Sequence, residues 1–278
     1  MIFTGDISIP FKGVLSTSNI PDTFVKKTII GNLEGSVVDN SEANISIQER
    51  KVFNHIDAVK DLCKAFNFKA FNIANNHILN VCNIKDSENR LKNIGIPCVG
   101  GGIIVNAKKE ILINDETGEY AVVAFGWNVI DCIYAKEKQE GVNPYTKKNV
   151  LSTAEEMIKK HSSKRIIFLF HWNYELEQYP QPLDRELSHK LIDMGIYAVI
   201  GCHSHRVQPV ELYKGHVIAY SMGNFAFCQN QYVNGTLSFP DFSLKEIAIE
   251  LERRIFGSSL QLPPEGTIYI IYGGIDTF

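Results

Sequence analysis

Val199-Ile200-Gly201-Cys202-His203-Ser204-His205 is the stretch that decides how this chain is read. The run from Tyr197 to Ile200 is apolar and reads as a buried strand. It stops at Gly201, and two histidines follow in alternation. Side chains at i and i+2 of an extended segment point the same way, so His203 and His205 are expected to face one point just beyond a strand end. Cys202 is expected to point away from them. In open α/β sheets, ligands sit outside the carboxyl ends of the strands.

Three further stretches repeat the pattern. Arg165-Ile166-Ile167-Phe168-Leu169-Phe170 is β-branched and aromatic and runs into His171. Ala70-Phe71-Asn72-Ile73-Ala74 runs into Asn75-Asn76-His77, and Ile2-Phe3-Thr4 into Gly5-Asp6. A shorter one, Thr28-Ile29-Ile30-Gly31, opens into Asn32-Leu33-Glu34. A histidine or carboxylate at one strand end is ordinarily a hydrogen-bonded or solvated group. Several in one chain make a site.

Bulk properties narrow the class. The chain has 278 residues, 45 % hydrophobic and 21 % charged, as in ordinary globular proteins. A net charge of −3 gives no basic footprint for nucleic acid. No apolar run reaches the ~18 residues of a membrane span, and a strand follows Met1 almost at once, so no membrane segment or signal peptide is expected. The six cysteines are scattered without a C-x-x-C pair, and the expectation is reduced thiols in a cytoplasmic protein.

Apolar periodicity predicts helices over 55–67, 84–94, 148–161 and 183–194, with Gly95 and Gly195 as stops. Hairpins are expected at 109–125, around Asp115-Glu116-Thr117-Gly118, and at 210–220, around Lys214-Gly215. Gly100-Gly101-Gly102 reads as a sharp bend or close backbone approach rather than a phosphate loop. The irregular segment from Gly126 to Tyr145 reads as a lid or a substrate-facing wall. His55 is expected at the surface, and His161 and His189 in structural roles. Residues 246–252 alternate like an edge strand and 267–272 like a closing one. Helices and strands alternate through 55–201, which predicts stacked α/β layers in one domain over 1–278.

The collected groups are Asp6, Glu34, Asn76, His171, His203 and His205, with His77 close by. Three imidazoles, two carboxylates and an amide oxygen suit one or two divalent ions such as Mn, Fe, Zn or Mg. Two ions about 4 Å apart share a ligand, and Glu34 is the natural bridge; such a pair would acidify a bound water and neutralise charge on a phosphoryl or carbonyl oxygen. His77 could protonate a leaving group.

The elements from Gly5-Asp6 through Asn32-Leu33-Glu34, Ala74-Asn75-Asn76-His77, His171-Trp172 and Gly201-Cys202-His203-Ser204-His205 to Tyr220-Ser221-Met222-Gly223-Asn224-Phe225 together resemble the CapA family. That family is named for poly-γ-glutamate capsule synthesis and lies within the calcineurin-like metallophosphoesterase superfamily. The resemblance implies a four-layer α/β/β/α sandwich of metallophosphoesterase architecture with mixed sheets and a two-metal centre at the strand ends. Asp6 and His205 would serve one ion, and Asn76, His171 and His203 the other. Glu34 stands where the superfamily has its bridging aspartate, and His77 where it has a proton-donating histidine. The chain departs from the superfamily pattern at Ser8, Asn80 and Ser204, where histidine, aspartate and proline are usual.

The expected function is hydrolysis of a phosphate mono- or diester in capsule, envelope-glycan or poly-γ-glutamate metabolism. The substrate is then a small molecule, glycan or polymer bearing phosphate or γ-glutamyl groups. The alternatives are γ-glutamyl amide hydrolysis and a non-catalytic accessory role beside capsule-assembly partners.

Overall fold

Short parallel strands rich in Ile and Phe open the chain: β1 (Ile2–Ser8), β2 (Ile29–Leu33), β3 (Phe68–Asn72) and β4 (Cys98–Val99), hydrogen-bonded in that order. This is a computed structural model, and it describes residues 1–10, 22–43, 51–227, 231–233, 236–238 and 269–271. Parallel neighbours need crossovers, and helices α1 (Ile56–Ala65) and α2 (Ile84–Asn93) supply them on either side of β3. They bury Ala58, Val59, Leu62, Ile84 and Leu91 in the core of this first sheet. Asn83 caps α2 by accepting the Asp86 N–H at 2.8 Å.

A second sheet follows. β5 (Ile111–Asp115) and β6 (Gly118–Gly126) form the first hairpin, and β9 (Val210–Tyr213) and β10 (His216–Ala219) the second. Lys214 and Gly215 turn the second hairpin with φ of 52° and 82°, the pair of left-handed residues that a tight two-residue hairpin requires. Between the hairpins lie β7 (Arg165–His171) and β8 (Ala198–Cys202), each preceded by a helix, α3 (Lys147–Lys160) and α4 (Pro182–Met194). The order β9-β10-β8-β7-β6-β5 is parallel in the middle and antiparallel at both edges, a mixed sheet.

Period-two alternation sorts the second sheet's side chains. Ala121, Val123, Phe125, Ile166, Phe168, Phe170 and Val199 pack outward with Val150, Ala154 and Met157 of α3 and Leu187, Leu191 and Ile192 of α4. Val122, Ala124, Ile167, Leu169, Ala198 and Ile200 turn inward to a core shared with the first sheet. The result is the four-layer α/β/β/α sandwich. Beyond Ala219 the chain crosses between the sheets, and β11 (Asn224–Phe227) and β12 (Tyr269–Ile271) join the first sheet beside β1.

One local expectation changes, and two open readings resolve. His55 is buried, not at the surface: its Nδ1 accepts the Asp57 N–H at 3.2 Å as the cap of α1, and its Nε2 meets Asn40 Oδ1 at 2.8 Å. The segment after Gly126 is a packed wall rather than a free lid, because Ile130, Cys132 and Val142 are drawn into the core between the sheets. Gly141–Val142 also pairs with Gly101–Gly102. Gly100 (φ 94°) is a close approach, since a Cβ there would lie 2.7 Å from Ala74 Cβ and 2.8 Å from Ala124 Cβ. The edge strand expected at 246–252 lies outside the described residues.

Candidate metal centre

The carboxyl ends of the central strands of both sheets meet at one buried spot. Asp6 sits where the β1 ladder shifts register against both β2 and β11. Such an irregularity re-aims a side chain, and here the carboxylate is fully buried. Asp6 Oδ1 accepts the Asn32 amide at 2.6 Å, and Oδ2 accepts the His203 backbone N–H at 3.2 Å.

Glu34 follows β2 directly. Its N–H donates to Ile7 O at 2.8 Å, and its carbonyl accepts the Asn54 amide at 2.8 Å. Gly35 (φ 95°) lets the chain turn there, since a Cβ would lie 2.6 Å from Val52 O. Asn75 clamps this turn to the Asn75-Asn76-His77 loop, accepting the Gly35 N–H and donating to Leu33 O.

His171 ends β7 on the inward face, in step with Ile167 and Leu169. Its Nε2 lies 2.9 Å from Asn76 Oδ1 and 3.9 Å from Glu34 Oε1. The late histidines converge by a route other than the one expected. The pleat ends at Cys202, which continues the inward row of Ala198 and Ile200. His203 (φ 99°) and His205 (φ 53°) then adopt left-handed backbone, uncommon away from glycine and concentrated at functional sites. His205 Nδ1 comes 3.3 Å from Asp6 Oδ2, and its Nε2 3.9 Å from Glu34 Oε1. The His203 ring lies 4.7 Å from that of His171.

Two donor groupings result among the described residues, Glu34–His171–His203 and Asp6–Glu34–His205, with the donor atoms of each within 4.8 Å of one another. Glu34 belongs to both. Cys202 stands in neither, and its buried thiol bonds the Asp6 carboxylate. Ser8 is turned away, donating to Phe53 O at 3.2 Å. His77 Nε2 lies 3.7 Å from Glu34 Oε1, and its Nδ1 meets the Asn80 amide at 2.8 Å.

The electrostatics follow from burial. Glu34 is fully buried, and neither carboxylate oxygen has a hydrogen-bond partner. Burial pushes its carboxyl up to about 8, opposed by His205 and reinforced by Asp6 and the loop residue Glu175. Burial, then the neighbouring imidazoles, holds His171 well below the ordinary histidine value, and burial takes His203 down to about 4. Burial would lower His205 as well, but Glu34 and Asp6 outweigh it and raise it to about 10. His77 is lowered by burial and then by His205.

These residues fit a divalent ion. Ligation needs neutral imidazoles and ionised carboxylates: burial keeps His171 and His203 neutral, while His205 and Glu34, raised to about 10 and about 8, would each release a proton to a bound ion. Buried polar atoms are normally paired, yet Glu34 Oε1 and Oε2 and His203 Nδ1 are bare. The reading by residue type did not find Asn32, Asn54 and Asn75, which hold the carboxylates and loops in place. Their signal was the recurrence of asparagine at or beside several strand ends, at 32, 72, 75, 76 and 173, which supporting amides around a buried charged site would produce.

Comparison with known proteins identifies the family. The family model for "Bacterial capsule synthesis protein PGA_cap" matches residues 22–229. The chain is 28 % identical over 205 residues to the PGA biosynthesis protein CapA of Bacillus subtilis, covering 72 % of this chain and 53 % of that one. It is 27 % identical over 210 residues to the capsule biosynthesis protein CapA of Bacillus anthracis, covering 72 % and 50 %. A probable polyglutamine synthesis accessory protein of Mycobacterium tuberculosis is 26 % identical over 170 residues, covering 55 % and 43 %. The chain thus spans about half the length of these relatives. Among the described residues no helix is long and apolar enough to cross a membrane. With three quarters of its length matched by one family model, the chain belongs to the bacterial capsule synthesis (PGA_cap, CapA) family.

Proposed function

We propose that this chain is a metal-dependent hydrolase of a phosphate mono- or diester, acting in capsule or polyglutamate metabolism. The observation that carries the proposal is Glu34: a fully buried carboxylate, bare on both oxygens, that belongs to two donor groupings at once. Asp6, Glu34 and His205 would hold one divalent ion, and Glu34, Asn76, His171 and His203 a second. Ions there would supply Lewis acidity to a phosphoryl oxygen and acidify a water. The protein's own contribution is rigidity, since the donors hang from strand ends and turns fixed by backbone bonds. With Asn80 Nδ2 donating to His77 Nδ1, the His77 proton sits on Nε2, the nitrogen facing Glu34. His77 is therefore placed to protonate a leaving group.

The test is turnover of aryl phosphate mono- and diesters, with a γ-glutamyl anilide alongside, in Mn²⁺ and in chelator. The expected result is phosphate-ester turnover that chelator removes and that His171→Ala and His203→Ala lose while remaining folded. Full activity in both variants rejects the assignment, and turnover of the anilide alone moves the bond to an amide. A non-catalytic reading draws on the relative named as an accessory protein. Ion-loaded protein inert toward all three substrates would favour it.

A further inference from the structure

Asn224 opens β11 directly beside Asp6 in the parallel register. Its place is imposed by a close approach of two backbones. Asp6 N–H donates to Gly223 O at 2.8 Å, and a Cβ on Gly5 would lie 2.0 Å from that same oxygen. Asn224 thereby enters the centre although it is remote in sequence from every donor except the two late histidines.

Its side chain meets one imidazole. Asn224 Oδ1 lies 2.8 Å from His205 Nδ1, and Asp6 Oδ2 lies 3.3 Å from the same nitrogen. Both Asp6 oxygens act as acceptors, toward Asn32 and toward the His203 N–H. The nitrogen between them and Asn224 therefore bears hydrogen, and the Asn224 atom facing it is the carbonyl oxygen. The opposite nitrogen, Nε2, is directed at Glu34. The Phe227 ring, at 4.8 Å between centroids, supports the imidazole from the same strand.

We propose that Asn224 is a positioning residue: it grips His205 through Nδ1 and so presents Nε2 to a cation held between Asp6 and Glu34. The inference rests on the metal centre proposed above and concerns a residue outside its donor set. Partners that fix a ligating imidazole are worth about 10- to 100-fold in ion affinity. Asn224 has that role in the Asp6–Glu34–His205 grouping alone, because no bond links it to His171 or His203 among the described contacts.

The test is calorimetric titration of chelator-stripped protein with Mn²⁺, for wild type, Asn224→Ala, Asn224→Asp and His205→Ala, each checked for folding by circular dichroism. Asn224→Ala is expected to weaken one binding step by about 10- to 100-fold, the same step that His205→Ala weakens. Asn224→Asp, which keeps an acceptor at that place, is expected to restore it. If Asn224→Ala does not fold, the near-isosteric Asn224→Leu gives the same comparison. Unchanged affinity in the variant without the acceptor, weakening of a step that His205→Ala spares, or failure of Asn224→Asp to restore binding overturns the proposal. A wild type that takes up no Mn²⁺ rejects the metal centre itself, whereas a wild type that binds alongside an equally tight Asn224→Ala rejects the role of Asn224 alone.

Discussion

Replacing Glu34 by glutamine separates the cost of this carboxylate from its use. Burial raises the Glu34 carboxyl from 4.5 to about 8. Because the folded value lies above the unfolded one, the group opposes folding wherever the unfolded chain would ionise it. The penalty is absent below about pH 4.5 and complete above about pH 8. At about 1.4 kcal/mol per unit, it grows by about 3 kcal/mol between pH 5 and pH 8. Glutamine cannot ionise, and the cost of burying its amide is the same at both pH values. His205 keeps Asp6 and Asn224 as partners in the variant. In chelator, urea unfolding should therefore show Glu34→Gln gaining on wild type by about 3 kcal/mol from pH 5 to pH 8. Saturating Mn²⁺ should offset most of that gain at pH 8. Wild type gains about 2.7 kcal/mol at a hundredfold excess over Kd, while the variant has lost the one group shared by both donor sets. A stability difference that is flat with pH in chelator, or a variant that keeps the whole Mn²⁺ increment, would refute this reasoning.

Two further predictions concern the scaffold. A Cβ on Gly201 would lie 2.0 Å from Tyr220 O and 2.4 Å from Trp172 Nε1, which donates to that oxygen at 2.8 Å. Gly201→Ala should thus cost about 3 kcal/mol or more by urea unfolding, and a loss under about 1 kcal/mol would show that the strand ends give way freely. Asp184 is buried in the first turn of α4; burial raises it to about 6, against the lowering bond from Tyr145 Oη, and Oδ2 has no partner. Its folded value also lies above the unfolded 3.8, so its penalty appears above that pH and is complete above about 6. Asp184→Asn should gain about 2 kcal/mol on wild type between pH 4 and pH 8, and an equal effect at both pH values would contradict the assigned burial cost.

Much of the scaffold is legible locally. The apolar runs ending at Phe170 and Ile200 became β7 and β8, and the glycines at 95 and 195 closed α2 and α4 with φ of 78° and 113°. The direction of His171 also follows from sequence, because the two-residue pleat that buries Ile167 and Leu169 carries the third inward residue to the strand's end. The burial of His55 is not legible locally, because a polar residue at a helix start reads as solvent-facing unless the packing around it is known.

The convergence of His203 and His205 is different in kind. Alternation pointed toward a shared focus, but the pleat had already ended, and left-handed backbone at both positions brings them to Asp6 and Glu34. Asp6 depends on a register shift against both neighbouring strands, and Asn224 on a crossing from one sheet to the other. By itself the sequence marked the main apolar strands and the ligand-type groups near their ends, because those are properties of neighbouring residues; it did not show that β1 runs on past Asp6 to Ser8, nor the short strands at 36–38, 53–55 and 98–99. Only the tertiary structure decided that Glu34 serves two groupings and that Asn224 grips His205. Distances between side chains far apart along the chain are set by how two sheets pack, and no local pattern encodes that.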